Sequence, residues 1–201
     1  SKLPVGSYVV TELECPGYVS DKAQRIIHLE GNETAQFIFT NSRLPSLHLT
    51  KLSGGDTPLA GVSYRLAKIE DGSRYLDRTT SATGEITWEG LEPGVYSLKE
   101  LSTVETHILD PKEYHVELFA GKDSTIVLNN DRRPNLTLHK NDADTGTPIP
   151  GTVFLVKAAD GSTVTEVKTG TNGTATIKNL LPMVYEVIEK SVPSPYLLDS
   201  E

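Results

Sequence analysis

Three residue types recur at fixed separations and could react with one another. Lys51 lies 49 residues before Glu100, and Lys140 lies 49 before Glu189, while Asn41 and Asn130 each stand 10 residues before one of those lysines. Glu12 precedes Glu100 by 88 residues. An amine, a carboxyl and a carboxamide that meet in an apolar core have a specific reaction open to them. Burial disfavours the charged forms of amine and acid alike, so a neutral amine can coexist with a protonated acid. The amine can attack the amide carbonyl while the acid polarises it and shuttles protons. Ammonia leaves and an isopeptide bond remains. The competing reading is a buried Lys51–Glu100 ion pair with Asn130 merely capping a strand.

Strand parity is what brings these groups to one place, because side chains two apart share a face. Leu47, Leu49 and Lys51 alternate with His48 and Thr50; Tyr96, Leu98 and Glu100 share a face; so do Ile126, Leu128 and Asn130. Each apolar stripe ends on a polar group. Asn129 is adjacent to Asn130 but has the wrong parity. The same stripes are expected elsewhere, with Phe37 and Phe39 leading to Asn41 on a strand Gln36–Thr40, and Tyr8 and Val10 leading to Glu12. Leu136 and Leu138 lead to Lys140, and Tyr185 and Val187 to Glu189.

These stripes belong to copies of one domain. Leu3-Pro4-Val5-Gly6-Ser7-Tyr8, Leu91-Glu92-Pro93-Gly94-Val95-Tyr96 and Leu180-Leu181-Pro182-Met183-Val184-Tyr185 place their tyrosines 88 and 89 residues apart. That period is too long for a solenoid repeat. The expected organisation is the back half of a copy at 1–43, a complete copy at 44–131 and the front of a third at 132–201. No stretch has helical periodicity, and turn signals recur every 8 to 12 residues or so, which predicts all-β, sandwich-like modules.

The 201 residues are 37% hydrophobic and 23% charged, ordinary globular material, with a net charge of -8 and no run of Lys or Arg. That balance argues against a nucleic-acid or anionic-membrane partner. The single Cys15 cannot make an intrachain disulfide, and no apolar run is long enough to span a membrane. Because the chain opens inside one copy and closes inside another, any export signal or anchor is expected outside it.

The combined motifs resemble a known family. Leu-x-Leu-x-Lys at Leu47–Lys51, Pro-Leu-Ala-Gly-Val-x-Tyr at Pro58–Tyr64, Leu-x-Pro-Gly-x-Tyr-x-Leu-x-Glu at Leu91–Glu100 and a terminal Asn130 are similar to the collagen-adhesin B-type, or SpaA-like, repeat of Gram-positive surface adhesins and pilins. Asn141–Phe154 matches the same pattern in the third copy. The resemblance implies a prealbumin-like, inverse immunoglobulin-like β-sandwich and a non-enzymatic stalk or spacer at the cell surface, anchored to the cell wall. It implies Lys51 as nucleophile, Glu100 as proton shuttle and Asn130 as electrophile, with Glu12, Asn41, Lys140 and Glu189 at equivalent positions in the incomplete copies. No cofactor or metal is expected, and the expected partners are neighbouring repeats of the same protein. The alternative is an adhesin module that reads host matrix protein or glycan through its loops.

Two departures from the pattern bear on geometry. Met183 stands where Gly6 and Gly94 make the turn, and Leu101–Leu109 lacks the Pro-Gly-Tyr found at Pro16–Tyr18. Other signals are weaker. Asp142-x-Asp144-x-Gly146 resembles the start of a calcium loop, but Val153 occupies the position where a bidentate Glu is needed. Lys112 is read as an ordinary loop lysine, and His48 and His139 as solvent-facing.

Overall fold

The computed structural model describes residues 3–31, 34–70, 72 and 75–198. Among these there is no helix, and hence none long and apolar enough to cross a membrane. The chain divides into two compact units, Ser1–Thr103 with Leu109–Asn130, and Val104–Ile108 with Asp131–Glu201.

The first unit carries β1 (Gly6–Thr11), β2 (Tyr18–Ser20), β3 (Gln24–Leu29), β4 (Asn41–Arg43), β5 (Leu47–Ser53) and β6 (Thr57–Pro58). It continues with β7 (Ser63–Lys68), β8 (Tyr75–Thr79), β9 (Glu85–Trp88), β10 (Gly94–Ser102), β11 (Glu113–Leu118) and β12 (Ser124–Asn130). Ser73 and Arg74, expected in the β8 strand, lie outside the described residues.

One sheet runs β11-β10-β7-β8, and a second runs β12-β5-β6 with β9 also paired to β5. Their inner faces meet. The alternation along β5 is strict, with Leu47, Leu49, Lys51 and Ser53 buried and His48, Thr50 and Leu52 partly exposed. On β10, Tyr96, Leu98 and Glu100 are buried while Lys99 is exposed. Trp88, Leu66, Val62 and Leu118 complete the core. β12 is the last strand of the middle copy and β5 the first, and they pair in parallel with Leu128 opposite Lys51 and Asn130 opposite Ser53.

The first copy corrects one expectation and adds a strand. β1 and β3 pair antiparallel from Gly6–Leu29 to Thr11–Gln24, but Gln36–Thr40 is not a strand. Only Asn41–Arg43 is extended, paired with Tyr18–Ser20. The physical reason lies in the middle copy, whose closing strand is held by a parallel ladder to β5. Among the described residues nothing offers Gln36–Thr40 such a ladder; the Thr40 carbonyl, next to β4, accepts from the Asp21 N–H at 3.0 Å, while Ile38 stands 79% exposed. Phe37 and Phe39 still touch, with ring centroids 6.4 Å apart. Arg43 grips Asp123 through two bonds of 3.0 and 2.8 Å, and this guanidinium holds the Asp123 carboxyl below its ordinary range.

The second unit carries β13 (Leu136–His139), β14 (Val153–Ala158), β15 (Thr163–Lys168), β16 (Thr174–Ile177) and β17 (Tyr185–Ser191). β13 pairs with β16 as β5 does with β9, and the sheet β15-β14-β17 repeats the order β8-β7-β10. A buried threonine recurs as well. Thr80 accepts from the Val62 N–H and donates to the Leu59 carbonyl, at 2.9 and 2.8 Å; Thr169 does the same for Thr152 and Ile149, at 3.0 and 2.8 Å. Residues 104–108, within the loop that lacks Pro-Gly-Tyr, bond to residues 131–133: Ile108 N–H to Asp131 and Arg133 N–H to Thr106.

The Met183 departure has a visible consequence. Gly94 opens β10 at φ 143, a conformation L side chains rarely adopt, and Met183 takes no positive φ. β17 accordingly starts only at Tyr185. The lock on the turn survives, because Tyr185 donates to the Leu181 carbonyl at 2.8 Å just as Tyr96 does to Glu92 at 2.9 Å and Tyr8 to Pro4 at 2.7 Å.

Candidate functional site

The two sheets of the middle copy bring Lys51, Glu100 and Asn130 into contact. Lys51 Nζ donates to Asn130 Oδ1 at 2.7 Å and lies 2.9 Å from Glu100 Oε2. Asn130 Nδ2 donates to Glu100 Oε1 at 2.6 Å. All three residues are buried, at 0%, 3% and 2% exposure. A charged pair so far from water is costly to keep unless every hydrogen-bonding position is used. Here both carboxyl oxygens accept, and the amine faces Asn130, Glu100 and the Tyr64 ring, whose centroid is 5.5 Å away.

Two further side chains complete the cluster, and sequence reasoning missed both. Tyr64, directly opposite Glu100 in the β7–β10 ladder, donates its hydroxyl to Glu100 Oε2 at 2.9 Å. Burial first, then the neighbouring Glu100 charge, drive the Tyr64 phenol far above its ordinary pKa, so it remains a donor. Thr103, just beyond the end of β10, accepts the other Nδ2 proton of Asn130 at 3.0 Å. Tyr64 stood within a motif but without a role. A hydroxyl three residues past Glu100 carries no sequence signal, because the stripe that marks the strand has already ended.

Backbone geometry fixes where Lys51 sits. Its N–H donates to the Gly84 carbonyl at 2.7 Å and its carbonyl accepts from Leu59 at 2.9 Å, while Lys140 repeats both bonds with Gly173 and Ile149 at 2.9 and 2.8 Å. Gly84 has φ +73, and a Cβ there would lie 2.4 Å from the Lys51 carbonyl oxygen. Gly84→Ala is therefore expected to cost at least about 2–3 kcal/mol through the left-handed backbone and the clash. Urea unfolding measures it, and an unchanged midpoint would contradict this role for Gly84.

Residues 1–43 and 132–201 hold two of the three groups each. Glu12 Oε1 accepts from Asn41 Nδ2 at 2.6 Å and its Oε2 from Ser20 at 2.8 Å, with no lysine ion pair to Glu12 among the described residues. Lys140 Nζ lies 3.1 Å from Glu189 Oε1 and 3.2 Å from Oε2, partly open to solvent. Phe154 stands opposite Glu189, where the middle copy has Tyr64 opposite Glu100.

The remaining sequence signals resolve as local structure. Asp142 Oδ1 accepts from the Asp144 and Thr145 N–H groups and the Thr145 hydroxyl, and the carboxyl also bonds to the Tyr196 side chain. His48 meets Thr87 and His139 meets Thr174, each across its strand pair. Lys112 lies over the Tyr114 ring at 4.6 Å.

Comparison with known proteins gives an independent line of evidence. A family model described as SpaA, a prealbumin-like fold domain, matches residues 45–132 and 134–201. Among solved structures, the Bacillus anthracis TIE protein is similar at 25% identity and a TM-score of 0.50, over 99% of this chain and 39% of that one. The chain thus spans about two fifths of that protein's length. The shaft pilin SpaA of Lactobacillus rhamnosus GG is similar in fold, at 15% identity and a TM-score of 0.50, over 77% of this chain and 90% of that one. Comparison with curated proteins gives no match.

Proposed function

Because the chain belongs to the SpaA prealbumin-like fold domain family, we propose that it is a stalk module of a bacterial cell-surface adhesin or pilin. In this reading it closes its middle copy with a self-made Lys51–Asn130 isopeptide bond and turns over no substrate. The observation that carries the reading is the contact of a buried amine with a buried carboxamide, 2.7 Å apart, on the parallel first and last strands of the copy.

The chemistry follows from the contacts. A proton passes from the Lys51 ammonium to Glu100, whose Oε2 faces it. The freed Nζ lone pair attacks Asn130 Cγ, and the tetrahedral centre collapses by breaking the bond from Cγ to Nδ2. Glu100 returns a proton to Nδ2, which departs as ammonia. One bond from Nζ to Cγ has formed and one carbon–nitrogen bond has broken; the second proton that Nζ sheds on becoming an amide nitrogen also passes to Glu100 and leaves with the ammonia as ammonium, so Glu100 ends as it began. With no partner beyond its own neighbouring repeats, the module transmits force. Tension entering at β5 and leaving at β12 passes through the covalent link, and the loop between Lys51 and Asn130, 79 positions apart, bears none of it.

Single-molecule pulling from the two chain ends tests this. The parent is expected to withhold the loop between Lys51 and Asn130, whereas Lys51→Ala should release roughly 260–280 Å of additional contour length. Equal contour lengths would remove the mechanical reading.

A further inference from the structure

We propose that Thr103 is a fourth reacting-site residue, the group that holds the leaving nitrogen of Asn130 and hands ammonia to solvent; this rests on the cross-linking reading above. An asparagine amide can present either end to an approaching amine. In the middle copy both protons on Nδ2 are engaged, one by Glu100 Oε1 at 2.6 Å and one by Thr103 Oγ1 at 3.0 Å, so Oδ1 is the end left facing Lys51. The two acceptors thus sort the amide: nitrogen toward the acid that must protonate it, oxygen toward the amine. When the bond from Cγ to Nδ2 breaks, the Thr103 hydroxyl still accepts from the nitrogen as it gains its third proton from Glu100.

Thr103 also differs from its neighbours in reach. Lys51, Glu100, Asn130 and Tyr64 are buried, while Thr103 is half-buried. Thr103 is therefore the partly exposed member of the cluster, and ammonia that leaves past its hydroxyl is kept from attacking the new amide in reverse. The residue three positions after the acid is not a hydroxyl in the other copies: it is Cys15 after Glu12 and Val192 after Glu189. The hydroxyl thus stands beside the one acid, Glu100, that has both a lysine and an asparagine against it among the described residues.

The test is a time course of intact mass on the full chain made by cell-free synthesis, with aliquots quenched in acidic denaturant. The parent and Thr103→Ser are expected to lose one ammonia at similar rates. The near-isosteric Thr103→Val should reach the same final mass about tenfold more slowly, the equivalent of one hydrogen bond in the transition state. Val at the parental rate would overturn the proposal. A parent that never loses ammonia would overturn the cross-linking reading and this proposal with it, an outcome visible in the parent arm alone. Limited proteolysis of Lys51→Ala with and without Thr103→Val separates folding from chemistry. Equal digestion leaves the slowed rate to the lost hydroxyl, and faster digestion of the double variant would assign it to folding and overturn the proposal.

Discussion

Replacing Lys51 by alanine is expected to lower the thermal midpoint of the middle copy by tens of degrees. Two terms act together. The variant cannot close the loop between positions 51 and 130, and by analogy with the chain-entropy treatment of disulfides a closure of that size contributes roughly 4–5 kcal/mol. In a domain of this size each kcal/mol moves the midpoint by about 4–8 °C, so closure alone accounts for roughly 15–40 °C. The second term is local. Alanine removes a side chain that is fully buried and leaves Glu100 facing an empty volume; in the cross-linked parent Lys51 is an amide rather than an ion-pair partner, so the local loss is one of packing, about 2–5 kcal/mol for a large buried side chain cut to alanine. Differential scanning calorimetry of parent and variant measures the sum. A midpoint within a few degrees of the parent would mean that no covalent closure stabilises the parent.

Glu100→Gln is expected to leave the chain at its full calculated mass. The substitution keeps the shape of the side chain and can still bond to Tyr64 and Asn130, but it cannot accept a proton from Lys51 or deliver one to Nδ2. Without that transfer no carboxylate takes the proton from Nζ as it attacks Cγ, and the amide nitrogen has no acid to protonate it as it leaves. The variant also leaves a buried cation without its counter-charge, at a cost of about 3–5 kcal/mol. It should therefore unfold well below the parent and become sensitive to protease within the middle copy. Intact mass and limited proteolysis report the two effects separately. Loss of ammonia in Glu100→Gln at the parental rate would show that Glu100 carries no proton in the reaction.

The contact of Lys51, Glu100 and Asn130 was legible because it depends on parity and period, both of which are local properties of the sequence. Leu47-x-Leu49-x-Lys51 can only put the lysine on the buried face once Leu47 and Leu49 are there, and Asn130 was separable from Asn129 on the same ground: Asn129 is exposed. The failure at Gln36–Thr40 has the opposite cause. Its stripe is as good as that of β12, but a strand also needs a neighbour to pair with, and pairing is a non-local property that alternation cannot report. Tyr64 and Thr103 mark a further limit. Tyr64 faces Glu100 through the register of two strands 36 residues apart, and Thr103 reaches Asn130 from a loop, where no periodicity constrains direction. Met183 departs from the turn pattern set by Gly6 and Gly94. Its consequence was milder than the loss of a glycine suggests, because the Tyr185 hydroxyl bond holds the turn without one.

The central claim is that Lys51 and Asn130 share a covalent bond, and intact mass of the purified chain under denaturing, reducing conditions tests it most directly. The account predicts a parent lighter than its calculated mass by one ammonia, with proteolysis yielding a single branched species that joins the peptide of Lys51 to that of Asn130. Lys51→Ala and Glu100→Gln should each match their own calculated masses. A parent at its full calculated mass, with the two peptides recovered separately, would contradict the account and leave a buried ion pair in place of the bond.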